Sequence, residues 1–394
     1  MFTDVAKKLE AVIKNKVAKG PQEIDILHWM SRAALEMIGQ SGLGHSFDPL
    51  IEGVPENPYC DAVKSFVPVL APILFLRETM LPTLVKYTSP GFRRLLVDTV
   101  PWARIRRLRD IVDVMDETSV RIFEDKKEKL RMGDEELANQ VSRAKDIMSI
   151  LMKANMEAAE EDRLPEKEVL GQMSTFTFAG TDTTSNAISR TLHLLSNNLE
   201  IQERLRAEVT AARKEHGEEV PFDELMALPL LDAVCRETLR LVRQDVVLPL
   251  SEPIKGLDGR EMHEIFIPKD TTVFVSILNA NRDPALWGPD SDVWNPDRWN
   301  APLPKEISEA RMPGIYSNMM TFLGGGRACI GFKFAQVEMK VMLAVLLSQF
   351  RFTPSLDKEI VWNMNGIVTP SVKNSKSLIE SELPLNIEFV GNSA

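Results

Sequence analysis

The stretch that decides the fold is FLGGGRACIG, residues 322–331. It sets Cys329 among glycines, two residues after Arg327, and helical spacing of apolar residues follows directly. The N-terminus of a helix favours the thiolate form of cysteine, which is the form that binds metals. Glycines such as Gly325 and Gly331 let the backbone approach the sulfur, so that its N–H groups tune the sulfur's charge. The pattern therefore indicates a thiolate metal ligand at Cys329.

The neighbours of Cys329 each have a use if the metal is a heme iron. Phe322 can shield the sulfur from water, and Arg327 can form a charge-assisted hydrogen bond with a heme propionate. A thiolate ligand pushes electron density onto iron and favours cleavage of the O–O bond. The alternative for a single cysteine is an inert residue of the core. That alternative is the weaker one, because this pattern of spaced residues is improbable by chance in a chain of this length.

The loop FLGGGRACIG, extended by Ala335 and Glu338, resembles the heme-binding loop of the cytochromes P450. The resemblance implies a mainly α fold with a minor β portion, and heme b (iron protoporphyrin IX) held by the Cys329 thiolate. It also implies monooxygenation, in which one oxygen atom of O2 enters an apolar small molecule. Electrons would come from NADPH through a reductase partner.

A second motif, AGTDTT, lies in a long helix predicted from Pro165 to Asn197. Ala179 and Gly180 are small enough for a flat ligand to lie against the helix, and Asp182 beside Thr183 can relay protons through water. The alternative is that such hydroxyls only bond back to a helix carbonyl. The segment resembles the family's oxygen-activating helix, which implies proton delivery by the pair. Helical spacing predicts one shared face for Thr175, Phe178, Ala179, Asp182 and Thr183.

A third motif, ETLR, pairs Glu237 with Arg240 at i,i+3, which is common by chance and weak by itself. The family has the same E-x-x-R and takes its partner arginine from a downstream loop. Arg298 in WNPDRW stands at the matching place. The resemblance implies a structural triad of Glu237, Arg240 and Arg298 that holds the cysteine loop. Position relative to the family also implies a substrate wall of Thr175, Phe178, Leu248, Pro249, Ile367 and Val368.

Apolar periodicity predicts a mostly helical body over residues 1–245. A β portion with an irregular segment is expected over 246–299, including a strand at Thr271–Ile277. The heme-binding loop and its helix occupy 300–350, and β pieces occupy 351–394. All are taken as one catalytic unit.

Composition limits the partners of the chain. Its net charge of -10 argues against nucleic acid, which rewards excess Lys and Arg. Three cysteines, Cys60, Cys235 and Cys329, form no disulfide framework. The apolar stretch 66–76 contains Pro68 and Pro72 and is too short to span a bilayer. It is expected to be a core segment or a loop that touches a membrane surface.

The first residues depart from the family pattern. Family members of this type begin with a membrane anchor, a Pro-rich hinge, the first strands and a helix with Trp-x-x-x-Arg, and none of these has a counterpart here. Residue 1 falls about where the fourth or fifth family helix begins, so we expect an N-terminally truncated chain without an anchor. The full-length protein is expected at the cytosolic face of the endoplasmic reticulum membrane. Two alternatives stay open: a non-catalytic remnant with weak heme binding, and a heme-thiolate isomerase or dehydratase.

Overall fold

A computed structural model describes residues 1–131, 146–217, 219–241, 254–255, 261–262, 276–310, 312–364, 367–373 and 381–391. The chain forms two compact units, of which the first comprises Met1–Ser189 with Gln349–Ala394 and the second comprises Arg190–Ser348. Both are built mainly of helices, and the strands are few and short. The fold class is therefore mainly α with a minor β portion, as predicted.

The first unit holds most of the long helices. The helix at the start of the chain buries Val5, Leu9 and Ile13, which recur at helical spacing and explain its position. The predicted helices are confirmed here. The helices of this unit are Phe2–Lys16, Ile26–Ile38, Pro58–Leu70, Leu74–Tyr87, Pro90–Thr99, Ala103–Arg131, Ile147–Glu157 and most of Glu166–Ser196.

A three-stranded antiparallel sheet in this unit joins both ends of the chain. The strand Pro384–Phe389 lies in the middle and pairs with Gln22–Asp25 on one side and Phe350–Pro354 on the other. A separate hairpin pairs Ile360–Met364 with Val368–Val372. The β pieces predicted over 351–394 are confirmed within the described residues.

The second unit contains the ETLR helix and the cysteine loop. Its two shortest strands, Ile254–Lys255 and Glu261–Met262, pair with each other. The strand predicted at Thr271–Ile277 lies mostly outside the described residues, but Ile277 begins a short helix, so that end of the prediction is wrong. The helices of this unit are Leu199–His216, Phe222–Ala227, Pro229–Arg240, Ile277–Ala280, Pro284–Trp287, Lys305–Glu309 and nearly all of Phe332–Gln349.

The apolar stretch 66–76 is helical, not a loop. The helix Pro58–Leu70 accommodates Pro68 internally, and a 3-10 turn, Ala71–Ile73, takes up Pro72 before the next helix begins. Within the described part of the chain, the stretch Pro58–Arg77 is apolar and long enough, at 20 residues, to cross a membrane by length and composition alone. The sequence analysis judged residues 66–76 too short to span a bilayer. The helical stretch is longer than those residues, because it begins at Pro58.

Candidate active site

The cysteine loop is a tight hairpin whose end presents the thiol. The Cys329 N–H donates to the carbonyl oxygen of Phe322 at 2.8 Å, and the Ala328 N–H donates to Gly325 at 3.2 Å. Gly325 has a φ of +60°, in the region that favours glycine. The Cys329 side chain is exposed, and the helix Phe332–Gln349 begins three residues after it. The thiol therefore lies beside a helix N-terminus, the position predicted to favour a thiolate.

Two further glycines shape the segment 313–324, which leads into the cysteine loop, and were not singled out from the sequence. A Cβ on Gly324 would lie 1.7 Å from the carbonyl oxygen of Pro313. A Cβ on Gly314 would lie 1.9 Å from the carbonyl oxygen of Met319. Because neither contact is sterically possible, only glycine allows the backbone of this segment to approach itself this closely. Nothing in the sequence around Gly314 indicates this role.

Phe322 and Arg327 differ in their surroundings. Phe322 is 9% exposed and packs against Tyr316 and Phe332, with ring centroids 5.8 and 6.2 Å away. Its backbone carbonyl also accepts the Cys329 N–H, so this residue anchors the loop as well as shielding it. Arg327 is exposed, and no ion pair with a carboxylate is seen for it among the described residues. Its charge remains available to an anionic group beside the thiol.

These residues fit a heme bound through sulfur. A Cβ on Gly325 or Gly326 would meet nothing within 4 Å, so the backbone next to the thiol is open to a flat group. A Cβ on Gly331 would lie 4.0 Å from the Cys329 Sγ. Glycine at that position keeps the space beside the sulfur free. An exposed thiol, an unpaired arginine and an open glycine backbone are the donor set that a heme with propionates requires.

The predicted triad is assembled within the second unit. Arg240 donates to both oxygens of Glu237, with Nε–Oε2 at 2.9 Å and Nη2–Oε1 at 2.8 Å. Arg298 Nε lies 3.5 Å from Glu237 Oε1, and Arg298 also pairs with Asp290 at 2.8 Å. The side chains of Glu237 and Arg240 are fully buried. Trp299 Nε1 also donates to Glu237 Oε2 at 3.0 Å, a contact that the sequence did not predict.

The triad is connected to the cysteine loop through Asn281. Arg240 Nη1 donates to the Asn281 carbonyl oxygen at 2.8 Å. The side chain of Asn281 donates to Thr321 Oγ1 and accepts the Met320 N–H, both at 2.8 Å. Thr321 Oγ1 in turn donates to the Leu239 carbonyl oxygen at 2.7 Å. A displaced arginine would therefore disturb the segment that leads into Phe322.

Asp182 and Thr183, adjacent in the AGTDTT segment of the helix Glu166–Ser196, differ in their exposure to solvent. Asp182 is 4% exposed, whereas Thr183, Ala179 and Thr175 are exposed. The i,i+7 spacing keeps Asp182 on the same side of the helix as Thr175, so Asp182 differs from these three residues in burial and not in helix face. Thr183 Oγ1 donates to the Ala179 carbonyl oxygen at 2.6 Å.

Burial raises the pKa of Asp182 from 3.8 to about 7. A hydrogen bond from Asn186 and the charge of Lys64 both oppose this shift. Asp182 Oδ1 accepts from Asn186 Nδ2 at 3.0 Å, and Oδ2 has no partner within the described structure. A carboxyl group with a pKa near neutrality can both hold and release a proton under working conditions.

Gly180 faces a neighbouring helix. A Cβ on Gly180 would lie 2.9 Å from Ile38 Cγ1 of the helix Ile26–Ile38. Its missing side chain serves close helix packing, and a contact between Gly180 and the cofactor stays a prediction. Ala179, one residue earlier, remains exposed.

The predicted substrate-wall residues are only partly described. The Phe178 ring lies 5.2 Å from the Phe66 ring. Ile367 and Val368 are half-buried, and Val368 pairs with Met364 in the hairpin. The other two, Leu248 and Pro249, lie outside the described residues.

Comparison with known proteins places the chain in a family. The cytochrome P450 family model matches residues 1–377. Cytochrome P450 monooxygenase 91 of Postia placenta is 51% identical over 403 residues, covering 100% of this chain and 73% of that protein. Ganoderic acid synthetase CYP5150L8 of Ganoderma lucidum is 45% identical over 385 residues, covering 94% and 70% respectively. A solved cytochrome P450 structure, CYP102L1, matches with a TM-score of 0.66 and 25% identity over 98% of this chain and 73% of its own.

The chain belongs to the cytochrome P450 family. It is an oxidoreductase of the P450 monooxygenase type. The family uses heme with a cysteine thiolate ligand, and it requires a substrate, O2 and a redox partner.

Proposed function

We propose that this protein inserts one oxygen atom of O2 into an apolar small molecule and that the Cys329 thiolate would hold its heme. The observation that carries the proposal is the Cys329 hairpin, in which the Cys329 backbone N–H donates to the Phe322 carbonyl oxygen and the exposed thiol lies beside the start of a helix. Heme held by this thiolate would supply the chemistry of dioxygen activation. Phe322 covers the loop, and Arg327 would pair with a propionate.

The assignment of Cys329 is tested by the Soret band of the reduced, CO-bound protein. We expect the red-shifted band of thiolate ligation in the wild type and its loss in Cys329→Ser. Cys235→Ala is the matched control, because Cys235 is buried in the same unit and burial raises its pKa to about 12. Retention of the band in Cys329→Ser contradicts the assignment, and a wild type that never shows it supports a non-catalytic remnant.

Asp182 and Thr183 supply protons in this proposal. The exposed Thr183 hydroxyl can order water, and the buried Asp182 carboxyl stores a proton near neutral pH. Glu237, Arg240 and Arg298 take no part in the chemistry and hold the cysteine loop in position.

Electrons come from an NADPH-dependent reductase in this proposal, since the family needs an external redox partner. Thr175 and Phe178, together with Leu248, Pro249, Ile367 and Val368, remain the proposed substrate wall. The printed name of the Ganoderma relative makes ganoderic acid precursors reasonable first compounds to screen.

We further propose contact with a membrane surface through the apolar helices near residue 75. Phe75 is 80% exposed, Val85 is 54% exposed and Leu95 is 58% exposed. These side chains lie on the consecutive helices Leu74–Tyr87 and Pro90–Thr99. Exposed apolar residues concentrated in one segment favour insertion into the lipid interface. The expected location is the cytosolic face of the endoplasmic reticulum membrane.

A further inference from the structure

We propose that Asn186 is a positioning residue for Asp182: its amide nitrogen fixes one carboxyl oxygen and leaves the other free to hold and release a proton. This inference rests on the proposed role of Asp182 in proton supply. The two residues lie one turn apart on the helix Glu166–Ser196. Asp182 is 4% exposed and Asn186 is 5% exposed, so water does not compete with their contact.

The orientation of the Asn186 amide follows from its partners. Nδ2 donates to Asp182 Oδ1 at 3.0 Å and to the Asp182 backbone carbonyl oxygen at 2.8 Å. Both partners are acceptors, so the nitrogen must face them and the amide oxygen must point away. Asp182 therefore receives two bonds from a single donor group, one on its side chain and one on its backbone. That arrangement fixes the carboxyl group relative to the helix.

The other side-chain oxygen of Asp182 and the amide oxygen of Asn186 do not contribute hydrogen bonds to the described fold. Asp182 Oδ2 and Asn186 Oδ1 are buried and have no hydrogen-bond partner in the described part of the chain. Ser189 Oγ is also buried without a hydrogen-bond partner in the described part of the chain. Ser189 lies seven residues after Asp182, on the same side of the helix. Burying unpaired polar atoms costs stability. A leucine at position 186 would remove the unpaired amide oxygen but would also leave Asp182 Oδ1 without its donor, so the main effect of Asn186 falls on Asp182.

The charged group that acts on Asp182 within the described structure is Lys64. Lys64 lies on the helix Pro58–Leu70, and its Nζ lies 2.6 Å from Glu56 Oε1. This ion pair partly offsets the lysine charge, so the amide of Asn186 is the direct contact that favours the ionised carboxylate. Loss of that donor should raise the pH at which Asp182 gives up its proton.

The direct test is the infrared band of the protonated Asp182 carboxyl group in the heme-loaded protein, followed from pH 5 to 9. The band is identified by its loss in Asp182→Asn. In Asn186→Leu, we expect the midpoint of its titration to rise by about one pH unit. The free energy of a hydrogen bond to a charged group corresponds to a pKa shift of about that size. Asn197→Leu is the control, since Asn197 Nδ2 donates to the His193 carbonyl oxygen but to no carboxyl group.

A second measurement follows the ratio of product to NADPH consumed as a function of pH. The pH at which this ratio falls on the alkaline side should be higher in Asn186→Leu, by the same amount as the midpoint of the infrared titration. An unmoved midpoint in a folded Asn186→Leu protein overturns the positioning role, as does the absence of any Asp182 band. An unchanged ratio in Asp182→Asn instead contradicts the proposed proton supply, and the infrared result still decides the role of Asn186.

Discussion

Glu237 and Arg240 lie one helical turn apart and form a bidentate ion pair with no exposed surface on either side chain. Buried ion pairs do not stabilise a fold simply by existing, since desolvation of the charges offsets their attraction. Removing a single partner is different, because the other charge then remains buried without compensation. The pair therefore fixes a geometry whose disruption is costly.

Glu237→Ala should lower the free energy of unfolding by about 3–5 kcal/mol, because Arg240 loses both side-chain acceptors. We expect little folded, heme-loaded protein, measured as heme absorbance per unit of soluble chain. Arg204→Met is the control, since Arg204 forms an exposed pair with Asp297 that contributes at most about 1 kcal/mol. A soluble Glu237→Ala protein with normal heme content would show that the triad does not hold the loop.

Trp299→Phe should cost about 1.5–3 kcal/mol, because the indole N–H donates to the buried Glu237 carboxylate. Urea unfolding measures the difference. Trp102→Phe is a suitable comparison, as Trp102 is 44% exposed. Equal effects of the two substitutions would mean that the indole bond to Glu237 contributes nothing.

Asp182→Asn should stabilise the protein at neutral pH and abolish part of its pH dependence. The pKa of Asp182 rises from 3.8 to about 7 on folding. The folded state therefore binds this proton more tightly than the unfolded state, and stability falls as pH rises from about 4 to about 7. The full effect is at most about 4 kcal/mol above pH 7. The measurement is urea unfolding of the wild type and Asp182→Asn at pH 4, 6 and 8. A difference in the free energy of unfolding that stays constant over these pH values would contradict the prediction.

Thr183→Ala should still consume NADPH but release more peroxide for each product molecule. The hydroxyl is exposed and bonds only to a backbone oxygen in the described structure, so its loss should change stability by less than about 0.5 kcal/mol. The measurement is the ratio of product to NADPH. An unchanged ratio would count against the relay and favour a heme-thiolate isomerase or dehydratase.

Phe75→Ser should weaken binding to vesicles of phosphatidylcholine and phosphatidylserine by about tenfold or more, since an inserted phenyl ring contributes about 1.5–3 kcal/mol. Sedimentation with the vesicles measures the bound fraction. Leu356→Ser provides the control, because Leu356 is 91% exposed but lies away from the apolar helices in sequence. Equal binding by all three proteins would remove the membrane proposal.

The long helices could be predicted from sequence because their apolar residues repeat over many turns, as Val5, Leu9 and Ile13 do in the first. The strand Gln22–Asp25 could not be predicted. It is four residues long with Ile24 as its single buried residue, and its partner strand is more than 300 residues away in sequence. Local pattern carries no information about such a distant pairing.

The candidate site also contains residues that sequence motifs identify and residues that they do not. Cys329, Glu237 and Arg240 were identified because they belong to spaced motifs. The roles of Gly180 and Gly324 depend on which backbone or side chain lies opposite, and no spacing rule contains that information. Asn186 gave no signal either, since a single asparagine in a helix has many ordinary uses.

The central strand Pro384–Phe389 has a consequence for how the protein is synthesised. Leu383 donates its N–H to Asp25 Oδ1, and the same oxygen accepts the N–H of Leu27 at the start of the helix Ile26–Ile38. The strand Gln22–Asp25 therefore waits for its partner until the ribosome has made Pro384–Phe389. A nascent chain stalled before Pro384 would keep two strands with unpaired edges and an incompletely tethered helix. Such an intermediate is a natural substrate for chaperones until synthesis of Pro384–Phe389 completes the sheet.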